Sequence, residues 1–431
     1  MNLFDGKLVE DLDRNNILHD LKVRIIKTLN EERVSIERFI EACDELSKEL
    51  SEEEYLPKLI KMGLDEERSR YELKCAKWML TKKYLRERLY REFGSTAFDI
   101  EESFVPFGEK NNVTQKWRPL GVIFHIAAGN MEGLPALSIL EGLLIGNINL
   151  LKLSGDDDGL TIDILQKLIK KYPILARYIY IFDFPSTDIE ALRNLAELAN
   201  AVVVWGGDEA IRAVRRLSTP NTQIIEWGHK ISFAYATVDG INDDALFALA
   251  KNICETEQLL CNSCQGIFID TDSREVAEGF AKRFLTILNS TAANFAKRSY
   301  APSFIAKSTL QVYTEKLMSK KNETTVFSTD NCSIEVFSDS KLNSSYMFRN
   351  CWVKMLPREN IVSALYPNKG YLQTVALLCT EEERPSLTHL LERARASRIV
   401  GAKNMTAAYC GQPHDGKFAL REYCRKVSIE I

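Results

Sequence analysis

The chain has 431 residues, of which 45% are hydrophobic and 27% charged, so it is long enough for two domains and has an ordinary globular composition. A formal net charge of -4 gives no electrostatic case for binding nucleic acid or an anionic membrane. The most apolar stretch, residues 134–153, contains Glu141 and Lys152, so we expect no membrane span. Ten unclustered cysteines and a start without signal-peptide order predict reduced thiols in the cytoplasm.

Residues 1–97 are predicted to be helical, because runs such as SIERFIEACDELSKEL place apolar residues three and four positions apart. Over residues 98–228, short apolar runs alternate with helical patterns of about a dozen residues. These runs are PLGVIFHIA, INLLKLSG, RYIYIFDF, NAVVVWGG and TQIIEWG. The alternation predicts βαβ units and a parallel sheet covered by helices, which is a cofactor-binding architecture. Ligands of such sheets bind beyond the carboxyl ends of the strands.

A second α/β unit, the catalytic domain, is predicted over residues 229–400. DALFALAKNICETEQLL is predicted to be a helix and QGIFID a strand, which places Cys261 between the two. Further strands are expected at SIEVFS, WVKMLP and GYLQTVALLC, whereas much of the segment from about residue 300 to 365 has no clear pattern. Residues 401–431 are predicted to return to the first unit and to end in a strand.

Cys261 and Cys264 form a C-x-x-C pair that has three readings. A structural zinc site needs about four ligands, but the nearest other cysteine is Cys254, and none of the five histidines pairs with another. A thioredoxin-like dithiol lies at a strand-to-helix turn, where the helix N-terminus lowers the thiol pKa, whereas this pair follows a helix. A single nucleophilic Cys261, with Cys264 as a bystander, is the favoured reading.

Five stretches of the chain occur in an order that resembles the aldehyde dehydrogenase superfamily. They are HIAAGN with Asn130, GNINLLKLSG with Lys152, VVVWGGDEAIRAV, IIEWGHK and the stretch with Cys261. Each piece alone would be a weak signal. Their order, together with a PHDG motif near the C-terminus, is specific.

Within that superfamily the chain resembles the LuxC-type fatty acyl-CoA reductases. The matching segments are CNSCQ at 261–265, GYLQTVAL at 370–377 and PHDGKFALREYCRKVSIEI at 413–431. The resemblance covers roughly residues 98–431. It implies an aldehyde dehydrogenase-like α/β fold with a parallel Rossmann-like cofactor sheet, a second α/β catalytic domain and a small oligomerisation hairpin at 101–119. His414 and Asp415 match the family motif, but the sequence alone indicates no role for them.

The resemblance implies covalent catalysis by Cys261. Its thiolate would attack a thioester carbonyl, and hydride from a reduced nicotinamide would release the acyl group as an aldehyde. Asn130 and the backbone N–H of Cys261 match the positions that stabilise the developing oxyanion. Glu226 falls where hydrolytic relatives keep a general base. His229 replaces the second glycine of the usual family stretch and is a candidate to assist thiolate formation.

The cofactor site is also implied by the resemblance, since no G-x-G-x-x-G follows the first strand. The pyrophosphate is expected beside the helix after VVVWGG, where Gly206 and Gly207 permit close approach of the backbone. The adenine ribose is expected near Lys152. Many NAD-preferring relatives carry a glutamate where Gly155 stands, so NADPH is favoured over NADH, with Lys152 and Ser154 as partners of the 2′-phosphate. No metal site is predicted.

The sequence therefore predicts an NADPH-dependent reductase that converts a fatty acyl thioester into an aldehyde through acyl-Cys261. The expected donor is acyl-CoA or an acyl-protein handed over by an acyl-protein synthetase. Two alternatives stay open: an NAD(P)-dependent aldehyde dehydrogenase that oxidises aldehyde to acid, supported by Glu226, and a metal- or redox-responsive C-x-x-C protein. The resemblance also implies that the 101–119 hairpin pairs with the C-terminal strand of a partner subunit, for which VSIEI is suitable, and covering such an edge favours a homodimer or tetramer.

Overall fold

The computed structural model describes residues 2–9, 14–31, 33–62, 64–98, 100–127, 134–153, 159–295 and 302–431. The chain forms two compact units. Unit 1 is built from two chain segments, Met1–Gly228 and Tyr409–Ile431, and unit 2 is His229–Ala408. The sequence predicts limits of 229 and 400 for the second domain. In the structure this unit also begins at His229 but runs to Ala408.

Unit 1 opens with two short strands and five helices. They are β1 (Asn2–Phe4), β2 (Lys7–Val9), α1 (Arg14–Asn30), α2 (Ile36–Glu49), α3 (Glu52–Lys61), α4 (Glu66–Leu80) and α5 (Lys82–Phe93). The last four helices each begin after a side chain that accepts a hydrogen bond from a backbone N–H of the first turn. These residues are Ser35, Ser51, Asp65 and Thr81.

The two N-terminal strands differ from the helical prediction for residues 1–97. Asp5 and Gly6 both have positive φ, 49° and 73°, and form the two-residue turn between β1 and β2. Asp-Gly between two short runs that each contain apolar residues, here NLF and KLV, is a hairpin signal that the helical prediction does not take into account. Leu3 of this hairpin pairs with Ile181, so the hairpin extends the main sheet of unit 1.

The rest of the first segment of unit 1 contains a hairpin followed by alternating strands and helices. The elements are β3 (Glu101–Phe104), β4 (Val113–Pro119), β5 (Val122–Ile126), α6 (Leu134–Leu144), β6 (Ile148–Lys152), α7 (Leu160–Lys171), β7 (Ile179–Phe182), α8 (Ile189–Leu198), β8 (Ala201–Trp205), α9 (Asp208–Leu217) and β9 (Gln223–Trp227). The sheet order is β2-β1-β7-β6-β5-β8-β9. The five strands β5, β6, β7, β8 and β9 pair in parallel. The five predicted strands are therefore confirmed, and their carboxyl ends meet at one edge.

Unit 2 is a second α/β unit. Its elements are β10 (Ile231–Ala236), α10 (Asp243–Thr256), β11 (Cys264–Ile269), α11 (Arg274–Ala292), α12 (Pro302–Asn322), β12 (Thr325–Ser328), β13 (Ser333–Phe337), β14 (Asn350–Met355), α13 (Ile361–Leu365), β15 (Leu372–Leu378), α14 (Arg384–Arg393) and β16 (Arg398–Val400). The sheet order is β12-β13-β14-β11-β10-β15-β16, and only β12 pairs antiparallel. The predicted α/β fold with two parallel-rich sheets is confirmed.

The chain returns to unit 1 through α15 (Ala419–Glu422) and β17 (Cys424–Ile429). Strand β17 pairs antiparallel with β4, which also pairs with β3, so the three form a small sheet within one chain. The superfamily resemblance implies pairing of this strand with a partner subunit's hairpin; in the structure β17 pairs with the hairpin of its own chain. Among the described residues, no helix combines the length and apolarity that crossing a bilayer requires.

Candidate active site

The predicted cofactor residues of unit 1 lie where its parallel strands end. Lys152 is the last residue of β6, Gly206 and Gly207 follow β8, and Glu226 is the penultimate residue of β9. Since β6, β5, β8 and β9 are neighbours in the sheet, these ends share one edge. The other predicted residues of this site, which are Asn130, Ser154 and Gly155, lie outside the described residues.

Lys152 is a buried lysine at this edge, with 6% of its surface exposed. Its Nζ donates a hydrogen bond to Ser186 Oγ at 2.9 Å. Burial lowers the pKa of Lys152, and the carboxylate of Asp183 opposes this effect. A buried ammonium at a strand end fits an anionic ligand, because a phosphate there would neutralise the positive charge of Lys152 together with Asp183. The sequence reasoning missed Ser186 and Asp183, although both follow β7 and the strand-end rule would have found them.

The N-terminus of α9 stands directly after β8. Gly207 is its N-cap, and the helix runs for ten residues. A Cβ on Gly206 would lie 3.0 Å from the Cβ of Ala210, so glycine allows the helix to start this close to the strand. A Cβ on Gly207 would meet nothing within 4 Å. The space beside Gly207, at the N-terminus of α9, is therefore open, and a helix N-terminus next to open space suits the pyrophosphate of a dinucleotide.

Glu226 is engaged by a guanidinium in this structure. Arg215, in the last turn of α9, donates from Nε and Nη2 to the two carboxylate oxygens of Glu226 at 2.5 and 2.8 Å. The hydrogen bond to Glu226 raises the pKa of Arg215. His229, the other group predicted to help with proton transfer, is exposed and is the first residue of unit 2.

The PHDG motif forms a tight hairpin turn. The backbones of His414 and Lys417 exchange two hydrogen bonds, at 2.8 and 2.9 Å. Asp415 and Gly416 between them have φ values of 50° and 81°. Two consecutive positive φ values with the sequence Asp-Gly are typical of a type I′ turn. The motif therefore has a structural role that its sequence could have indicated: it fixes the position of His414.

This turn places His414 against two indole rings that end the neighbouring strands β8 and β9. The ring centroid of His414 lies 5.5 Å from that of Trp205 and 5.0 Å from that of Trp227. The two indoles are themselves 5.5 Å apart. Such distances are typical of packed aromatic rings. Sequence reasoning missed both tryptophans as site residues, although each ends a strand at the predicted cofactor edge.

A buried row of polar side chains supports Trp205. Its Nε1 donates to Ser138 Oγ at 3.2 Å, and this oxygen lies 2.7 Å from Nδ1 of His125. The other ring nitrogen, Nε2, lies 3.0 Å from Asn149 Oδ1. Because the Asn149 amide nitrogen donates to two backbone carbonyls, its oxygen must face His125, which therefore carries its proton on Nε2. Burial lowers the pKa of His125 to about 4.

Cys261 lies in a loop of unit 2, here called the thiol loop (residues 257–263), between α10 and β11. Its side chain is exposed. The loop opens with Glu257 and Gln258, whose φ values of 49° and 63° are left-handed; this conformation costs non-glycine residues roughly 1–2 kcal/mol each. The strain is offset by hydrogen bonds, since Gln258 Nε2 donates to the carbonyl of Cys264 at 3.1 Å and Gln265 Nε2 donates to the carbonyl of Gln258 at 2.8 Å.

The backbone of Cys261 itself is tied to the neighbouring strand. Ser232 Oγ, on β10, donates to the carbonyl oxygen of Cys261 at 2.6 Å and accepts from the N–H of Thr374 at 3.0 Å. Ser232 is fully buried. The thiol is thus exposed on a backbone whose orientation is fixed, which is the arrangement that a covalent nucleophile requires.

Cys264 lies in a different environment from Cys261. It is fully buried in β11, and its Sγ contacts the carbonyl of Gly266 at 3.4 Å. Burial raises the pKa of the Cys264 thiol to about 12. A buried thiol of this kind is chemically inert. Within the described ranges, no group of three or more His, Cys, Asp or Glu side chains could hold a metal ion.

Comparison with known proteins gives consistent results. The sequence model of the family described as acyl-CoA reductase (LuxC) matches residues 32–426. The chain is 25% identical over 389 residues to the long-chain acyl-protein thioester reductase 2 of Photobacterium leiognathi, covering 87% of this chain and 77% of that protein. It is 28% identical over 200 residues to the long-chain acyl-protein thioester reductase of Vibrio harveyi, covering 46% of this chain and 41% of that relative. The second match spans less than half of that relative.

Among solved structures, the chain is similar to the glyceraldehyde-3-phosphate dehydrogenase GapN from Methanocaldococcus jannaschii, which was crystallised with NADP. The TM-score is 0.75 at 14% identity, covering 100% of this chain and 98% of that chain. At this identity the similarity shows the fold alone, and the predicted aldehyde dehydrogenase-like fold is confirmed. The resemblance to LuxC is confirmed as well, because the family match spans most of the sequence. The chain belongs to the LuxC acyl-CoA reductase family.

Proposed function

We propose that this protein reduces a long-chain acyl thioester to an aldehyde, with Cys261 as the nucleophile. The observation that carries the proposal is the exposed Cys261 thiol on a backbone held by Ser232, in a chain of the LuxC family. The Cys261 thiolate attacks the thioester carbonyl, so that a new C–S bond forms and the C–S bond to the donor breaks. The donor leaves as a thiolate that takes up a proton.

The proposed cofactor is NADPH, bound at the strand edge of unit 1. The residues that would hold it fit a dinucleotide: the N-terminus of α9 behind Gly206 and Gly207 suits the pyrophosphate, and the buried ammonium of Lys152 suits a 2′-phosphate. When bound, this cofactor supplies the hydride that reduces the acyl group. Asn130 and the backbone N–H of Cys261 are proposed to stabilise the carbonyl oxygen as it gains negative charge.

The proposed acyl donor is an acylated protein, with acyl-CoA as the alternative. The support is the printed name of the relative from Photobacterium leiognathi, a long-chain acyl-protein thioester reductase. An acyl-protein synthetase is the proposed partner that supplies the acyl group. Comparing the rates of Cys261 acylation by acyl-CoA and by an acylated synthetase separates the two donors.

A homodimer or tetramer is the proposed assembly. The small sheet β17-β4-β3 ends in β3 on one side and β17 on the other, and the four residues of β3 are exposed. Edge strands of this kind are ready to pair with another chain. Sedimentation measurements on the full chain test the assembly: a monomer at all concentrations contradicts it.

The oxidative alternative is not favoured. The relatives that match are named as reductases, and Glu226, the group proposed to activate water, is bound to Arg215 at both oxygens. We therefore assign Glu226 no step in the reduction.

The test is mass spectrometry of the protein exposed to a long-chain acyl thioester without NADPH. The acyl mass is expected on the peptide with Cys261, and subsequent addition of NADPH should remove it and release aldehyde. Cys261→Ala should abolish labelling, whereas the matched control Cys264→Ala should retain it, because Cys264 is a buried thiol. Labelling of another residue, or retention of label in Cys261→Ala, contradicts the proposal.

A further inference from the structure

Residues 347–349 of unit 2 form a left-handed turn immediately before β14. Met347, Phe348 and Arg349 have φ values of 61°, 51° and 70°. Asn350 supports them, because its Nδ2 donates to the carbonyls of Met347 at 2.7 Å and Phe348 at 3.3 Å. A run of three non-glycine residues in this region is unfavourable and persists only where other contacts hold it. Several of the holding contacts are with the thiol loop.

The strongest of these contacts is a buried ion pair. Arg349 donates from Nε and Nη2 to Oε1 of Glu257, at 3.0 and 2.6 Å. The two side chains are 2% and 5% exposed. The backbone N–H of Phe348 also donates to the carbonyl of Glu257 at 3.0 Å. The left-handed turn therefore holds the first residue of the thiol loop by its side chain and by its backbone.

Arg349 also connects the loop to the end of a helix. Its Nη1 donates to the carbonyl of Ala292, the last residue of α11, at 3.1 Å, and to that of Phe295 at 3.3 Å. A cation is favourable at the carboxyl end of a helix. One guanidinium thus joins the left-handed turn, α11 and the start of the thiol loop, and removing it leaves the Glu257 carboxylate buried without this partner.

The segment before the left-handed turn contacts the start of β11, which follows the thiol loop. Gln265 Oε1 accepts from the backbone N–H of Ser345 at 3.0 Å and from its Oγ at 2.8 Å. Glu257 precedes Cys261 by four positions and Gln265 follows it by four. Contacts from residues 345–349 therefore fix the backbone on both sides of Cys261.

We propose that Arg349 is a positioning residue for Cys261: through its ion pair with Glu257, it fixes the backbone that places the nucleophilic sulfur for attack. This inference rests on the proposed function, because it concerns the same thiol. Attack requires the sulfur and the carbonyl carbon within about 3–3.5 Å at a defined angle, and a shift of about 1 Å costs about 100-fold in rate. Without the ion pair, the thiol loop keeps its backbone bonds to Phe348 and Ser232 but loses the side-chain anchor of its first residue, which allows such a shift.

The experiment compares two reactions of Cys261 in the full chain. Arg349→Met should lower the rate of acyl transfer from a long-chain acyl-CoA by about 10- to 100-fold. Alkylation of the same sulfur by iodoacetamide, a small reagent that needs no placed carbonyl, should stay within about threefold, with an unchanged pH profile. Arg349→Lys keeps the positive charge but loses the paired donors of the guanidinium, so its rate of acyl transfer should lie between those of the wild type and Arg349→Met.

The matched control is Arg283→Met, which removes an exposed arginine of the same unit that pairs with Asp243 at 2.7 Å. It should leave both rates unchanged. If Arg349→Met does not fold, Glu257→Gln and Arg349→Lys carry the same comparison. Acyl transfer at the wild-type rate in a folded variant, or equal losses in acylation and alkylation, overturns the positioning role. Absence of acylation in the wild type identifies failure of the proposed function itself, and the positioning role falls with it.

Discussion

Arg215 binds both carboxylate oxygens of Glu226, with Nε–Oε1 and Nη2–Oε2 distances of 2.5 and 2.8 Å. The two residues come from consecutive elements, α9 and β9, that lie at the proposed cofactor edge of unit 1. Both oxygens of this carboxylate are thus engaged by charged donors, and such bidentate pairs fix the orientation of the side chain. We therefore propose that Arg215 keeps Glu226 from acting as a general base for hydrolysis of acyl-Cys261.

Arg215→Met tests this protective role. Releasing Glu226 should raise hydrolysis of acyl-Cys261 to free fatty acid by about threefold or more, measured as acid formed by acylated protein without NADPH. Arg216→Met, a neighbouring exposed arginine, serves as the control and should have no effect. The double variant Arg215→Met/Glu226→Gln should return to the wild-type rate; a rise that persists in it means that Glu226 is not the base.

Lys152→Met tests the choice of cofactor. Loss of the buried ammonium should raise KM for NADPH by about tenfold or more, since a charged hydrogen bond contributes about 1.5–3 kcal/mol. KM for NADH should change much less, because NADH lacks the 2′-phosphate. Ser186→Ala removes the hydroxyl that accepts from Lys152 Nζ and should affect both cofactors little. An equal loss for both cofactors contradicts the assignment of Lys152 to the 2′-phosphate.

His125 should make the stability of unit 1 pH-dependent. Burial lowers its pKa from 6.5 to about 4, so between these values the unfolded chain binds a proton that the folded chain does not. The free energy of unfolding therefore falls as the pH drops through this window, by about 3 kcal/mol in total. Denaturant titrations at pH 7.5, 6 and 5 should show a smaller loss in His125→Gln. His389 is exposed, so the control variant His389→Gln should lose as much stability on acidification as the wild type does.

Gly266 should be intolerant of a side chain. It lies in β11, two residues beyond Cys264, and a Cβ there would stand 2.1 Å from Cδ2 of the Trp352 indole. Gly266→Ala should reduce the free energy of unfolding by about 1–3 kcal/mol. Gly279→Ala is the matched control, since a Cβ at this position of α11 meets nothing within 4 Å, and alanine in a helix should stabilise by about 0.5–1 kcal/mol. Thermal unfolding should show a lower Tm than wild type for Gly266→Ala and a higher Tm for Gly279→Ala.

Much of the cofactor edge was predictable because it depends on local patterns. Continuous apolar runs predicted five strands of the first sheet, and the residues that follow them lie together because parallel strands end at one edge. This rule places Lys152 and Glu226 at that edge, which is where the structure has them. The same rule also points to Asp183, Trp205 and Trp227, which were not predicted as site residues although both tryptophans lie within the quoted motif stretches.

The surroundings of Cys261 were not predictable, because they depend on contacts between distant residues. Nothing in the local sequence indicates that Met347 to Arg349 adopt positive φ, since none of them is glycine. Arg349 and Glu257 are 92 positions apart, and a charged pair at that separation leaves no periodic signal. Ser232, in β10, likewise contacts Cys261 only after the strands pair.

The pairing of β17 with β4 of the same chain affects how the chain folds during synthesis. Strand β4 ends at Pro119 and β17 starts at Cys424, so the ribosome makes all of unit 2 between the two partners. At about 5–20 residues per second, the nascent hairpin waits for roughly 15–60 seconds with an unsatisfied edge. Chaperones that shield exposed strands are therefore expected to bind this hairpin until β17 emerges.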